Sequence, residues 1–374
     1  MKFIGLIIAG SLFFGLMLVY SGCAKSDAGI DTSMEVTIMP ESISSKSSYE
    51  GKNANGKSKY ASVKVNNTIA DIVKHPAFEG FGQFILPLTS GHYDENMQLN
   101  RVGSLLPYHN NVEPIAVVDT LNYMIDKVRD GDKIFYPFYT VQQVQADPSK
   151  QSTGLFFFKG EPGAPFAVVC PGGGFSYVGS VHEGFPHAIA LSQKGYNAFV
   201  IQYRVGGEKV ACEDLAAAIS YIFRNAELFN VATEDYSVWG SSAGARMAAN
   251  IGSYGPSSFG YYEPPKPSTV VMAYTGHSTY TKEDPPTFAI VGENDPIANP
   301  ALMKRRANAL REAGVAAQFY QYPNIGHGFG LGIGTSAEGW LEAAVQFWEE
   351  HMGSNNFRRP SDSVKRENNG RISK

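Results

Sequence analysis

The sequence is poor in the groupings that metal and redox chemistry need. Its three cysteines, Cys23, Cys170 and Cys212, form no C-x-x-C pair, and its eight histidines include no H-x-x-x-H or H-E-x-x-H spacing. No metal site and no cofactor is therefore expected. Positive charge is not in excess either: 31 Lys and Arg stand against 35 Asp and Glu, a net charge of −4, so nucleic acid is not an expected partner. No repeat of propeller-blade length precedes residue 131. What is present is ordinary for a folded chain of 374 residues, 43% hydrophobic and 18% charged.

The one long apolar run lies at the N-terminus. Lys2 is followed by apolar residues from Phe3 to Val19, then by Ser21-Gly22-Cys23. The 1–23 stretch reads as a signal peptide, and its ending resembles a bacterial lipoprotein signal with Cys23 as the lipidated residue. An uncleaved anchor is the alternative, and either places the rest outside the cytoplasm. Residues 24–75 are Ser, Lys, Asn, Gly and Glu without a sustained period, which predicts a disordered tether. Residues 76–130 carry aromatic and aliphatic clusters and one helical period through Val117, Leu121, Met124 and Val128; they are expected to pack on the main body as an N-terminal extension or lid-like segment. Within them His92 and His109 read as ordinary loop residues. The last stretch, 353–374, with six Lys or Arg against Asp362 and Glu367, predicts a disordered basic tail.

Between 131 and 352 short apolar runs alternate with helical periods, the pattern of an α/β fold with a mostly parallel sheet flanked by helices. Strands are predicted at 133–136, 155–158, 166–170, 198–203, 236–239, 270–274, 288–291 and 318–322. One helix is expected from near Val181 to Gly195, one along Leu215, Ile219, Ile222 and Phe223, one between Asn299-Pro300 and Gly314, and a last through Leu341, Val345, Trp348 and Met352. Cys170 in a strand and Cys212 in a helix are expected as buried small apolar residues, with a disulfide as the alternative in an oxidising compartment.

Functional groups in such a sheet gather beyond the carboxyl ends of strands. Gly240-Ser241-Ser242-Ala243-Gly244 is a G-x-S-x-G stretch between a strand and a helix, a sharp turn that lifts the Ser242 hydroxyl clear of the sheet. Pro171-Gly172-Gly173-Gly174-Phe175 follows another strand, and its backbone N–H groups at Gly172 and Gly173, with that of Ala243, are the expected oxyanion hole. Asp295 follows a third strand and is preferred to Glu293 as the carboxylate that orients an imidazole. His327, between glycines in a loop beyond Tyr322, is the expected general base. The order Ser242, Asp295, His327 and the placement of each at its own strand end predict nucleophilic catalysis by serine.

These motifs resemble the α/β-hydrolase superfamily, and within it the acetyl esterase and lipase group related to hormone-sensitive lipase. The resemblance runs from about 131 to 352 and includes Tyr203-Arg204, Asp214, Ala217-Ala218 and His327-Gly328-Phe329. Pro171 stands where that group has histidine, and Ser241 where it commonly has aspartate. Glu183, Pro186, Ala188 and Gly195-Tyr196 make the chain similar to members known as acetylxylan or feruloyl esterases. The resemblance implies a serine esterase for short acyl esters, with acetyl groups on glycans as the suggested substrate, and the 1–23 stretch adds the expectation that it is exported and lipid-anchored. A prolyl-oligopeptidase-like peptidase and a non-catalytic glycan-binding lipoprotein are the rival expectations.

Overall fold

The computed structural model describes residues 60–88 and 93–353. The signal, Cys23, His92, most of the tether and the tail from 354 onward lie outside the described residues. Each apolar run expected to be a strand is one: β1 (Phe135–Tyr136), β2 (Gly154–Phe158), β3 (Pro165–Cys170), β4 (Asn197–Gln202), β5 (Ala232–Ser241), β6 (Thr269–Ala273), β7 (Thr287–Gly292) and β8 (Ala317–Tyr322). They form one sheet in the order β1-β2-β4-β3-β5-β6-β7-β8. From β4 to β8 all neighbours are parallel, whereas β2 pairs antiparallel with both β4 and β1. The parallel strands β3, β6 and β7 are buried along their whole length, as strands covered by helices on both faces must be.

The helices are α1 (Ile69–Val73), α2 (Pro114–Arg129), α3 (Val141–Ala146), α4 (Phe185–Gln193), α5 (Glu208–Arg224), α6 (Ala226–Phe229), α7 (Ala243–Tyr254), α8 (Pro300–Glu312) and α9 (Trp340–Glu350). On α5, Ala211, Leu215, Ala218, Ile219 and Ile222 recur at helical spacing and are buried. Each such Leu or Ile contributes about 1.5–3 kcal/mol on leaving water. The start of α8 is as expected: the Asn299 side chain accepts from the N–H of Ala301, and Pro300 stands in the first turn.

Two expectations need correction. The tether does not extend to residue 75. Thr68 and Asp71 form a reciprocal cap on α1, and Val63, Ile69 and Ile72 are buried. A helix of five residues is too short to show a period in a polar sequence. The helix expected from Val181 begins instead as a π-helical turn, Ser180–Gly184, with α4 following from Phe185 and Pro186 in its first turn. Cys170 and Cys212 are buried as expected, both as free thiols and not as the alternative disulfide, and burial pushes the Cys212 thiol up to about 12. Residues of the 76–130 stretch, among them Phe78, Ile85, Leu99, Val102, Leu121 and Met124, belong to the same continuous apolar cluster as the sheet.

Topology decides where the site lies. From β3 the chain crosses to β4 on one side, then returns through α5 to β5 on the other side of β3. Beyond the carboxyl ends of β3 and β5 the flanking connections therefore diverge and leave a crevice. Cys170 and Gly240 are paired there, so the loops after them are neighbours. At the ends of β7 and β8, Gly292 pairs with Tyr322, which brings the loops carrying Asp295 and His327 together.

Candidate active site

Ser242 stands between β5 and α7 with φ 52° and ψ −113°, a conformation that costs a non-glycine residue about 1–3 kcal/mol. The surroundings hold it there. Its N–H donates to Ala273 O at 2.9 Å. A Cβ on Gly240 would lie 2.2 Å from Gly244 O, and one on Gly244 would lie 1.9 Å from Cys170 O. Both glycines of the motif are thus required by close backbone approach, and the turn presses on the end of β3.

The side chains of Ser242, Asp295 and His327 meet. Asp295 Oδ2 lies 2.8 Å from His327 Nδ1, and His327 Nε2 lies 2.8 Å from Ser242 Oγ. A carboxylate only accepts, so Nδ1 carries the proton, Nε2 is the acceptor, and the Ser242 hydroxyl donates to it. Asp295 is fixed in turn by the N–H groups of Ile297 and Ala298, which donate to Oδ1 at 2.8 and 2.7 Å. Asp295 and His327 are buried, whereas Glu293 is exposed. The His327 loop is braced twice more: Asn110 donates its amide to His327 O at 2.7 Å, and the Tyr274 ring packs edge-on against the imidazole at 5.2 Å.

The glycine loop departs from expectation at one position. The N–H of Gly172 donates to Glu183 Oε2 at 2.8 Å, so it is committed inside the protein and does not belong to an oxyanion hole. Among the described residues, the N–H groups of Gly173 and Ala243 have no such acceptor. Ala243 is the first residue of α7, whose opening N–H groups have no partner within the helix. Gly173, Gly174 and Phe175 all have positive φ.

Glu183 is fully buried, and three groups converge on it. Tyr274 donates its hydroxyl to Oε1 at 2.7 Å, Gly172 occupies Oε2, and His109 Nε2 lies 3.1 Å from Oε2, at ion-pair distance although off hydrogen-bond alignment. Burial alone would push the carboxyl up, but the imidazoles of His109 and His182 and the Tyr274 hydroxyl hold it well below the usual carboxylate range. His109 was expected to be an ordinary loop residue, Tyr274 was not singled out, and Glu183 entered only as a position of resemblance. A lone Glu in a helical turn or His in a loop has no local signature of burial, so nothing in the neighbouring sequence marks the pair. Tyr203 and Arg204 have structural roles: the Tyr203 hydroxyl donates to Pro171 O at 2.8 Å, and Arg204 pairs with Asp214 at 2.7 Å. Among the described residues, no group of three or more His, Cys, Asp or Glu side chains is arranged to hold a metal ion.

Two family models match the chain: BD-FAE over residues 159–260, and the prolyl oligopeptidase family over residues 253–355. Residues aligned to an acetylxylan esterase of Xylanibacter ruminicola are 24% identical, covering 47% of this chain and 43% of that one. An endo-1,4-beta-xylanase B of Butyrivibrio fibrisolvens is 27% identical over 46% of this chain and 34% of its own length. The chain thus spans less than half the length of these relatives. The crystal structure of an acetyl ester-xyloside bifunctional hydrolase from Caldicellulosiruptor lactoaceticus superposes with a TM-score of 0.52 at 20% identity, covering 58% of this chain and 95% of that one.

Proposed function

We propose that this chain, an α/β-hydrolase in fold, is a serine esterase that removes short acyl groups, with acetyl esters on glycans as its substrate class. The hydrogen-bonded series Asp295, His327, Ser242, each link 2.8 Å, carries the reading. His327 Nε2 takes the Ser242 proton as Oγ bonds to the ester carbonyl carbon, and the carbonyl π pair moves onto oxygen. That oxyanion is met by the N–H groups of Gly173 and Ala243. On collapse, the alkoxy group leaves with the proton from His327. Water, deprotonated by the same imidazole, then frees the acid from the acyl-serine. No step calls for a metal or cofactor. The acetylxylan esterase relative supports the glycan ester; export, with Cys23 as the lipid attachment point, rests on the 1–23 stretch.

The test is hydrolysis of p-nitrophenyl esters from acetyl to decanoyl by the full chain and its Ser242→Ala variant, followed by acetate release from acetylated xylan. Turnover confined to the shortest esters and lost in the variant is expected. Turnover unchanged by Ser242→Ala would overturn the assignment. Peptidase activity is the second reading, because the prolyl oligopeptidase match spans Asp295 and His327. Cleavage of peptide p-nitroanilides without cleavage of esters would favour it.

A further inference from the structure

Gly172 is held by the turn that carries Glu183. The Gly179 N–H donates to Gly172 O at 2.9 Å, and Gly179 O in turn accepts from the N–H groups of His182 and Glu183 at 3.1 and 3.0 Å. Glu183 Oε2 closes the clasp on the Gly172 N–H at 2.8 Å. In a trans peptide the C=O and the following N–H point in opposite directions. With Gly172 O turned toward Gly179, the Gly173 N–H points away from the clasp. Gly172 itself is wedged against the elbow: a Cβ there would lie 2.6 Å from Glu183 Oε2 and 2.9 Å from Ser242 Cβ.

An anion buried this close to a developing oxyanion is a liability, since Coulomb repulsion is strong where water is excluded. The groups facing Glu183 offset it. His109 comes from the N-terminal segment, with side-chain exposure of 2% against 0% for Glu183. Its Nδ1 lies 3.0 Å from the Tyr177 hydroxyl, which also accepts from the Tyr108 N–H at 3.3 Å. The next residue, Asn110, is the one that holds His327 O. One short stretch before α2 therefore touches both the oxyanion loop and the general base.

We propose that Glu183 and His109 form a positioning pair for the oxyanion hole. Glu183 takes the Gly172 N–H so that the Gly173 N–H is left for the oxyanion, and His109 balances the charge of that carboxylate. The pair touches no reacting atom, and the proposal rests on the esterase reading above.

The test measures kcat and KM for p-nitrophenyl acetate, together with inhibition by a trifluoromethyl ketone. That ketone adds to Ser242 Oγ as its proton passes to His327, leaving a tetrahedral oxyanion. Losing one donor to an oxyanion lowers kcat by about 100-fold or more. Glu183→Ala is expected to lower kcat by about that factor, to weaken the ketone in parallel and to leave KM within about threefold. Glu183→Gln, which keeps an acceptor for Gly172, should recover most of the loss. His109→Gln should lower kcat about tenfold in the native chain but add nothing in the Glu183→Gln background, where no charge is left to balance.

Unchanged kcat and ketone inhibition in folded Glu183→Ala would overturn the proposal. So would an equal loss from His109→Gln in both backgrounds, which decides the matter if Glu183→Ala does not fold. If the wild type is active, Ser242→Ala is dead and these variants are normal, only the positioning pair fails. If the wild type cleaves no ester, the esterase reading fails and the pair with it.

Discussion

Gly244 and Cys170 meet backbone to backbone: a Cβ on the glycine would stand 1.9 Å from the Cys170 carbonyl oxygen and 2.7 Å from that of Pro171. The turn that carries Ser242 and the glycine loop after β3 are therefore locked to one another through a contact that only glycine allows. Both obstructing atoms are main-chain atoms at the end of a buried strand, so neither can move aside cheaply.

Gly244→Ala should accordingly displace the elbow and lower kcat by about 100-fold or more, the scale on which misplaced catalytic groups lose rate. Gly163 is the control. Its φ is +74° and a Cβ there meets nothing within 4 Å, so alanine costs only the backbone strain, about 1–2 kcal/mol. Urea denaturation and ester turnover of the two variants side by side check the contrast.

Asp295→Asn should keep the fold and lose the chemistry. The side-chain oxygen can still accept from Ile297 and Ala298, but an amide facing Nδ1 favours the wrong imidazole tautomer. The expected fall in kcat is about 10⁴-fold. A thermal melt near that of the wild type, together with this loss, is the outcome to look for. Unimpaired turnover would remove Asp295 from the mechanism.

Asp214 is predicted to matter for stability alone. Fully buried, it accepts from the Arg204 backbone N–H at 2.7 Å, from the Arg204 guanidinium at 2.7 Å and from the Tyr139 hydroxyl at 2.7 Å. Asp214→Ala strands the Arg204 charge, leaving it the partly exposed Asp147 carboxylate at 2.8 Å and the Ser149 hydroxyl at 3.3 Å. Breaking a buried pair from one side costs about 3–5 kcal/mol, read as a lowered urea midpoint. KM of the remaining folded enzyme should not change.

Stability should fall as pH drops from about 6.5 to about 4. Burial lowers His187 to about 4, and burial with the nearby Arg306 charge lowers His277 to about 4. Between these values and 6.5 the unfolded chain binds protons that the folded chain refuses. Unfolding is thus favoured as pH falls through that window, and the difference is constant below it. Each group can contribute about 3 kcal/mol of this loss. Urea midpoints at pH 7 and pH 4.5 measure it, and His187→Gln should flatten the slope by its share. A slope that the substitution leaves unchanged would remove His187 from the account.

Much of the site was legible because its parts are local. The G-x-S-x-G stretch, the glycine loop and the glycine-flanked His327 each announce a turn at the end of an apolar run. Their order along the chain implies that strand ends are brought to one edge of the sheet. Choosing Asp295 over Glu293 needed only the reach of a loop residue. By contrast, α1 stayed hidden because one helical turn in polar sequence has no period to read.

Amino-acid order by itself determined the strands, the main helices and the three side chains that meet at Ser242, since periodicity and turn chemistry are written in neighbouring residues. Tertiary structure alone decided that Gly172 is bound by Glu183 and not open to substrate. It alone brought His109 beside Glu183, and Asn110 to His327, a residue 217 positions away. A buried polar group is settled by which distant partner satisfies it. That partner is chosen by packing across the sheet, which no local stretch of sequence records.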